Sequence, residues 1–452
     1  MKTPKILCLV TLAALFLMMA QGQWHFIPMR SLKGASTMPD FPRPYKETVM
    51  DGSWQGQMDK YAKYNFGFRE PAIRLYNQYI WSCYHKTLNQ GVIPGRNNYL
   101  YERYFVEDHY ESRMYKYTSD PQELRDKFDL EARRLAQLQE LLREHGTTLF
   151  VAILPGKDYV YPEFLPPQDT MRRTPGPRAY PEYLRLFEQY GVNYVDVLDW
   201  FLGIKDTVAY DLMPPLGTHW SNIAATYAFD SIMRYMQHLG GPAIRGVQLG
   251  KPYIDKDREP DNDLGLLLNL TVPPRQKACQ YVDVTLAPET DTAHLKPGLI
   301  VLGDSFFWNI HYNFPLDSLF RYTHYWFYFN TIYFDTEHDN TSQIDLRQAL
   351  IDADYVMLSY CSGQLYDLGN NFIGKALVEL CYTDEEIQAV RDSLCNNIRR
   401  DEHWRQYVQN KAASEGISLD QAILNDANYL INTRPEEYFE KLRIGRCPAD
   451  NN

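Results

Sequence analysis

Beyond one stretch at its N-terminus, this 452-residue chain has no run long and apolar enough to cross a bilayer. Basic residues are outnumbered, 46 Lys and Arg against 57 Asp and Glu, for a net charge of -11. That balance speaks against nucleic acid as a partner, because a phosphate backbone rewards basic surfaces. Cysteine is scarce, with 7 in all, and the spacings fit no zinc pattern. No metal site and no cofactor is therefore expected. No internal repeat or low-complexity block interrupts the sequence.

What the chain does have is enough apolar material, 45%, for one large α/β domain with an accessory part. Aromatics reach 14%, with 35 tyrosines. Such rings suit sugar or lipid-like ligands, and they equally suit packing in core and loops. At the N-terminus Lys2 and Lys5 precede an apolar run from Ile6 to Ala20, with small residues at Ala20 and Gly22. This is the layout of a secretory signal, so residues 1–22 read as a signal peptide or a retained signal anchor. The expected location is the periplasm or the cell envelope. Outside the signal the cysteines form an even set, which an exported protein can oxidise, and Cys381 with Cys395 is a reasonable local pair.

Residues 23–60 begin Pro-rich and unpatterned and read as a linker. A helix is expected around Phe66 to Tyr84, then a strand, turn and strand from Gly91 to Tyr101. The clearest helix starts at Asp120, which can cap it, with Pro121 in the first turn and Glu123 placed for a capping box. Leu124, Phe128, Leu135, Leu138 and Leu142 recur at helical spacing, and Gly146 ends it. Thr147 to Leu154 follows as a buried strand. Then come a helix from Pro181 to Tyr190, a strand from Val192 to Leu198, a helix from Ser221 to His238, and strands at Gly298 to Leu302 and Asp354 to Ser359. Alternating strands and helices imply an α/β fold with a doubly wound, mainly parallel sheet over residues 61–378. Residues 379–452 lack strand signals and read as a helical C-terminal tail.

The chemistry concentrates in two short segments. The apolar run Gly298 to Leu302 ends at Gly303, and Ser305 follows at the carboxyl edge of the sheet, where open α/β folds place their sites. A serine there is a candidate nucleophile that needs a base. His219, in Gly217-Thr218-His219-Trp220-Ser221, is the residue type for that task. The backbone N–H of Ser305 can help hold a developing oxyanion. Lys157, at the end of a strand, faces the same edge and could bind an anionic sugar or an acyl-donor group. Gln364, just after the last strand, could donate to an oxyanion. The aromatic run Tyr325 to Phe329, with Tyr333 and Phe334, suits core packing more than sugar stacking.

In these segments, and in several others, the chain resembles the alginate O-acetyltransferase AlgX/AlgJ family, whose catalytic domain is SGNH-hydrolase-like and whose motif is of the DHHW type. Gly67-Phe68-Arg69-Glu70, the Gly95 to Tyr101 hairpin, and Leu154-Pro155-Gly156-Lys157 with Tyr161-Pro162-Glu163 and Leu165-Pro166 carry the resemblance. So do His219-Trp220 and Gly303-Asp304-Ser305-Phe306. The resemblance implies Ser305 as acylated nucleophile, His219 as base and acid, and Trp220 in the substrate site. It further implies a polysaccharide acceptor and an acyl donor supplied by a membrane-bound O-acyltransferase.

One residue departs from the pattern. The family's Asp-Thr-His-Trp places an aspartate where this chain has Gly217. Asp304, Asp211 and Asp158 are the substitutes in view for orienting His219, and restoring an aspartate at 217 is expected to raise turnover. The reading is an O-acetyltransferase working through an acyl-serine. The alternatives are a carbohydrate acetyl esterase and a non-catalytic envelope scaffold, the last supported by Gly217.

Overall fold

The structure is a computed structural model, and it describes residues 2–34, 39–167, 176–258, 260–288 and 296–442. The far end of the expected tail, including Cys447, lies outside the described residues.

Six strands make the central sheet: β1 Thr148–Leu154, β2 Tyr194–Asp196, β3 Gly298–Gly303, β4 Tyr322–Phe327, β5 Thr331–Tyr333 and β6 Tyr355–Cys361. Their spatial order is β5-β4-β3-β6-β1-β2. Every pairing is parallel except β5 against β4. Strands β3 and β6 lie in the middle and are buried along their whole length. That is why both read as continuous apolar runs rather than alternating ones. Gly303 pairs with Ser359, and a Cβ on it would stand 2.2 Å from the Ser359 carbonyl oxygen. The glycine therefore serves close strand packing just ahead of the turn.

Helices cover both faces. We label α1 Lys2–Trp24, α2 Arg69–Tyr84, α3 Pro121–Glu144, α4 Ala179–Tyr190, α5 Asn222–His238 and α6 Phe307–Asn313. In α3 the Asp120 carboxylate accepts from Gln122 N at 2.8 Å and Pro121 opens the first turn. The expected apolar stripe is buried, and Gly146 sits at φ 86 beyond the end. Glu123 does not close a capping box, because it accepts from the Thr118 hydroxyl instead. The second strand expected over 192–198 is cut short at Asp196. That carboxylate accepts from Asp199 N and caps a helix, Val197–Ile204.

Three further differences concern the flanks. The stretch expected to be a linker holds two helices, Lys46–Met50 and Ser53–Tyr64. The C-terminal part is helical, as expected, with Asp384–Arg400, Glu402–Glu415 and Leu419–Thr433 capped by Thr383, Asp401 and Ser418. It is packed onto the body, for Ile387, Ile398, Val408 and Ile423 join the main core, and Arg134 of α3 bonds Glu436 at 2.5 and 2.6 Å. Cys395 is a free thiol while Cys381 is disulfide-bonded, so the local pair expected between them does not form. The aromatic run packs as expected, with Tyr325 and Trp326 buried in the core.

Candidate active site

Strand β3 delivers the turn Asp304-Ser305-Phe306, and α6 begins immediately after it. A loop ahead of α5 delivers His219, and Ser221 caps α5 by accepting from Ala224 N at 3.3 Å. The two loops are tied together. Trp220 Nε1 donates to Phe306 O at 3.1 Å, Asn309 Nδ2 donates to Trp220 O at 3.2 Å, and the His219 ring packs 4.8 Å from the Phe306 ring. The result is a hydrogen bond of 2.8 Å between Ser305 Oγ and His219 Nε2.

On the other side of the ring, His219 Nδ1 lies 2.8 Å from Asp263 Oδ2. Sequence reasoning missed this carboxylate. It comes 44 residues after the histidine, at the start of a five-residue helix, Asp263–Leu267. The only local hint is the acidic turn Asp261-Asn262-Asp263 before an apolar run, and nothing in it fixes which loop it will face. Several bonds hold it there. Thr218 N donates to Asp263 Oδ1 at 2.8 Å, and Gly265 N donates to Leu216 O at 2.9 Å. Asp261, fully buried, accepts from Asn222 and from the Tyr281 hydroxyl.

Gly217 is what admits this segment. A Cβ there would stand 2.9 Å from both the Pro260 and Asp261 carbonyl oxygens. The departure from the family pattern at 217 thus accompanies an acid that arrives from elsewhere. None of the three substitutes considered for that acid reaches the imidazole. Asp304 accepts from Phe306 N at 3.0 Å and Cys361 N at 2.8 Å, so it braces the serine turn against β6. Asp158 accepts from Arg178 at 2.7 Å in a buried ion pair. Asp211 lies on the loop before His219, by Tyr210, Pro214 and Gln276, without a hydrogen bond to the imidazole.

Lys157 and Trp220 are placed differently from expectation. Lys157 is fully buried, and its ammonium donates to the carbonyls of Leu100, Pro214, Pro215 and Gly217 at 2.6 to 3.0 Å. It rivets the Leu100 hairpin to the loop that presents His219, and no substrate reaches it. Burial pushes its pKa down to about 7, and the negative charges of Asp263 and Asp211 oppose that shift. Trp220 is likewise buried, and its indole N–H is spent on Phe306. Gln364 sits half-buried in the 3-10 segment Ser362–Asn371 beyond β6, and its side chain makes no hydrogen bond to Ser305 or His219. The N–H of Ser305 has no acceptor among the described residues, which leaves it available to an oxyanion.

The electrostatics favour a protonatable histidine. Burial lowers the His219 pKa, but the Asp263 carboxylate, backed by Glu102 and Asp304, outweighs it and holds the value above the ordinary one. Glu102, at the end of the hairpin strand Leu100–Glu102, has its own pKa raised by burial, and His219 opposes that shift. Among the described residues no group of three or more His, Cys, Asp or Glu is placed to hold a metal ion. What the arrangement can do is take a proton from a serine hydroxyl and stabilise the imidazolium that results.

Residues 112–316 match the model of a family described as SGNH hydrolase-like domain, acetyltransferase AlgX. Among solved structures, the O-acetyltransferase domain of Pseudomonas putida AlgJ is similar at 17% identity, covering 63% of this chain and 98% of that one, with a TM-score of 0.41. AlgX of Pseudomonas aeruginosa is similar at 10% identity, over 62% of this chain and 65% of that one, with a TM-score of 0.38. PatB1 of Bacillus cereus follows at 14%, over 53% and 91%, with 0.34. A search of curated proteins gives no match.

Proposed function

We propose, from the premise that residues 112–316 are an SGNH hydrolase-like domain of the AlgX acetyltransferase family, that this protein transfers acetyl groups to hydroxyls of an exported polysaccharide through an acyl-serine. The observation that carries the reading is the unbroken relay Ser305 Oγ, His219 Nε2, His219 Nδ1, Asp263 Oδ2, with both links at 2.8 Å.

In the first half, Ser305 Oγ attacks the acetyl carbonyl of the donor while His219 Nε2 takes its proton. The tetrahedral oxyanion is met by the Ser305 N–H. The bond to the donor's leaving group breaks as the imidazolium returns the proton to it. In the second half, an acceptor hydroxyl attacks acetyl-Ser305 and His219 takes that proton. Collapse expels the Ser305 alkoxide, which recovers the proton from His219. Asp263 keeps the imidazole in the tautomer with Nδ1–H and stabilises the imidazolium when it forms. Water in place of the acceptor gives an esterase, so the same relay supports hydrolysis as the second reading.

Residues 61–378 form the catalytic body in this reading, with the helical tail from 379 bracing it. The helix α1 serves as a retained membrane anchor rather than a removed signal. Its stretch Lys5–Trp24 is long and apolar enough to span, and its last turn is packed against the body, with Gln21 2% exposed. The acyl donor comes from a membrane-bound O-acyltransferase in the same envelope. Incubation with a chromogenic acetyl ester, followed by peptide mass spectrometry, is expected to show acetyl on Ser305. Adding polysaccharide oligomers is expected to discharge it onto sugar. Absence of both acyl-enzyme and turnover would overturn the reading in favour of a scaffold.

A further inference from the structure

The apolar helix α1 meets the body at its C-terminal end. The Gln21 amide donates to Ile27 O at 2.7 Å and accepts from Ile27 N at 3.0 Å. Gly22 and Gly67 bring two backbones together. A Cβ on Gly22 would lie 2.3 Å from Asn65 O, and one on Gly67 would lie 2.0 Å from Met18 O. At this junction is a cavity of about 430 Å³ walled by both partners, where Ile27, Phe66 and Phe68 supply apolar surface and Tyr64, Arg69 and Glu70 supply polar surface.

The two charges in the cavity are adjacent and loosely paired. Arg69 Nη1 stands 4.0 Å from Glu70 Oε1, and the guanidinium lies 4.6 Å from the Tyr64 ring centroid. Neither side chain has a hydrogen-bond partner among the described residues. Phe68, in the wall, caps α2 at φ 64, a conformation that a bulky side chain rarely adopts. Around the mouth, Trp24, Phe26 and Phe66 are 68%, 49% and 47% exposed.

A span of 20 residues at 1.5 Å per residue covers the roughly 30 Å hydrocarbon thickness of a bilayer. With Lys5 at one face, Trp24 therefore stands at the other, exposed, as in the tryptophan and tyrosine belt that sits at headgroup level. The cavity is then at the lipid headgroups. We propose that it is a phospholipid site that takes a zwitterionic head group with a free ammonium. The head group's phosphate is held by Arg69 and its ammonium by Glu70, with the upper acyl chain lying on Ile27, Phe66 and Phe68. Paired opposite charges favour this head group over an anionic one, which Glu70 repels. A trimethylated one also fits less well, because it has no N–H to give Glu70. The proposal rests on α1 as a retained anchor and is independent of the serine chemistry.

The test uses the full chain, extracted in mild detergent and reconstituted into nanodiscs with equal parts of phosphatidylethanolamine, phosphatidylglycerol and phosphatidylcholine. Intact mass is read first, and an N-terminus lacking residues 1–22 would overturn both the anchor and this site. With α1 intact, native mass spectrometry is expected to show one phosphatidylethanolamine retained over the other two. In Arg69→Gln and in Glu70→Gln that preference is expected to fall about tenfold, which is roughly 1.4 kcal/mol. Melting temperature and acetyl-ester turnover are expected to stay at wild-type values. An intact chain with no lipid enriched, with phosphatidylglycerol preferred, or with a preference unmoved in both variants overturns the site and leaves the anchor standing. Soluble glycerophosphoethanolamine added in excess is expected to compete weakly. Full displacement by it would mean that the acyl-chain wall contributes nothing, and would also overturn the proposal.

Discussion

Replacing Asp263 by asparagine tests the relay at the residue that the sequence concealed. The substitution keeps the shape of the side chain and the acceptor for Thr218 N, now at 2.8 Å, so the loop has no reason to move. What changes is the bond to His219. An asparagine that turns its NH₂ to Nδ1 forces the ring proton onto Nε2, and Nε2 then cannot take the proton of Ser305 Oγ. In serine triads the equivalent change costs about 10⁴ in rate. Here the Asp263 side chain is 26% exposed, so water can partly replace it. A drop of roughly 10³ to 10⁴ in kcat follows, about 4 to 5.5 kcal/mol at 1.36 kcal/mol per decade.

The pH profile gives a second, independent reading of the same variant. Turnover requires neutral His219, so it rises with pH as the imidazolium loses its proton. In the wild type the net effect of burial, Asp263, Glu102 and Asp304 holds the pKa above its ordinary value, which puts the midpoint of the rise above the free-histidine position near 6.5. Removing the Asp263 charge takes away the strongest of the influences that raise it. Burial then dominates and the midpoint moves to lower pH. Steady-state hydrolysis of a chromogenic acetyl ester across pH 5 to 9, with thermal melting as the fold control, measures both. A loss of less than tenfold in a folded variant, or an unmoved midpoint, would refute Asp263 as the orienting group.

Further outcomes are expected elsewhere. Ser305→Ala should abolish acetyl-ester turnover while melting stays at the wild-type temperature, and any retained turnover points to another nucleophile. Asp211→Asn should leave kcat within about twofold, since no bond joins Asp211 to the ring, and a large loss would reinstate it. Lys157→Met should cost on the order of 3 kcal/mol of stability in denaturant titration, because four buried carbonyls lose their donor; an unchanged midpoint would show that the ammonium is not holding the loop. Gly217→Asp should lower both melting temperature and turnover, the reverse of the sequence-level expectation, since its Cβ meets two backbone oxygens at 2.9 Å.

The features legible in the sequence are those written in local patterns. Strand β3 and the α3 stripe announce themselves by continuous apolarity and by 3.6 periodicity, and the Asp120 and Ser221 caps lie where their residue types say. The positions of Ser305 and His219 at one sheet edge were readable because Ser305 follows a recognisable strand and His219 precedes a recognisable helix. The roles of Lys157 and Trp220 were not readable, because whether a polar head is spent on backbone or left for a ligand depends on tertiary burial. Both heads are spent. The helices at 46–64 escaped because prolines and polar residues nearby mask short helices that bury nothing.

The exchange at Gly217 shows how a motif residue can be missing while a carboxylate still reaches His219. A triad constrains where the carboxylate oxygen lies relative to Nδ1, and the chain position that supplies it is free. Once the Thr218 loop is held by Lys157 and by Gly265 N, any segment crossing it within about 3 Å can offer that oxygen. The crossing segment needs room, and a side chain at 217 would occupy the space where the Pro260 and Asp261 carbonyls pass. Glycine at 217 and aspartate at 263 are therefore two halves of one arrangement, since a side chain at 217 meets the backbone of the segment that carries Asp263. An aspartate at 217 would have to displace the segment that carries Asp263. The double variant Gly217→Asp with Asp263→Ala is accordingly expected to recover more turnover than the sum of the single losses allows. Strict additivity of the two losses would show that the two positions do not share the work of orienting His219.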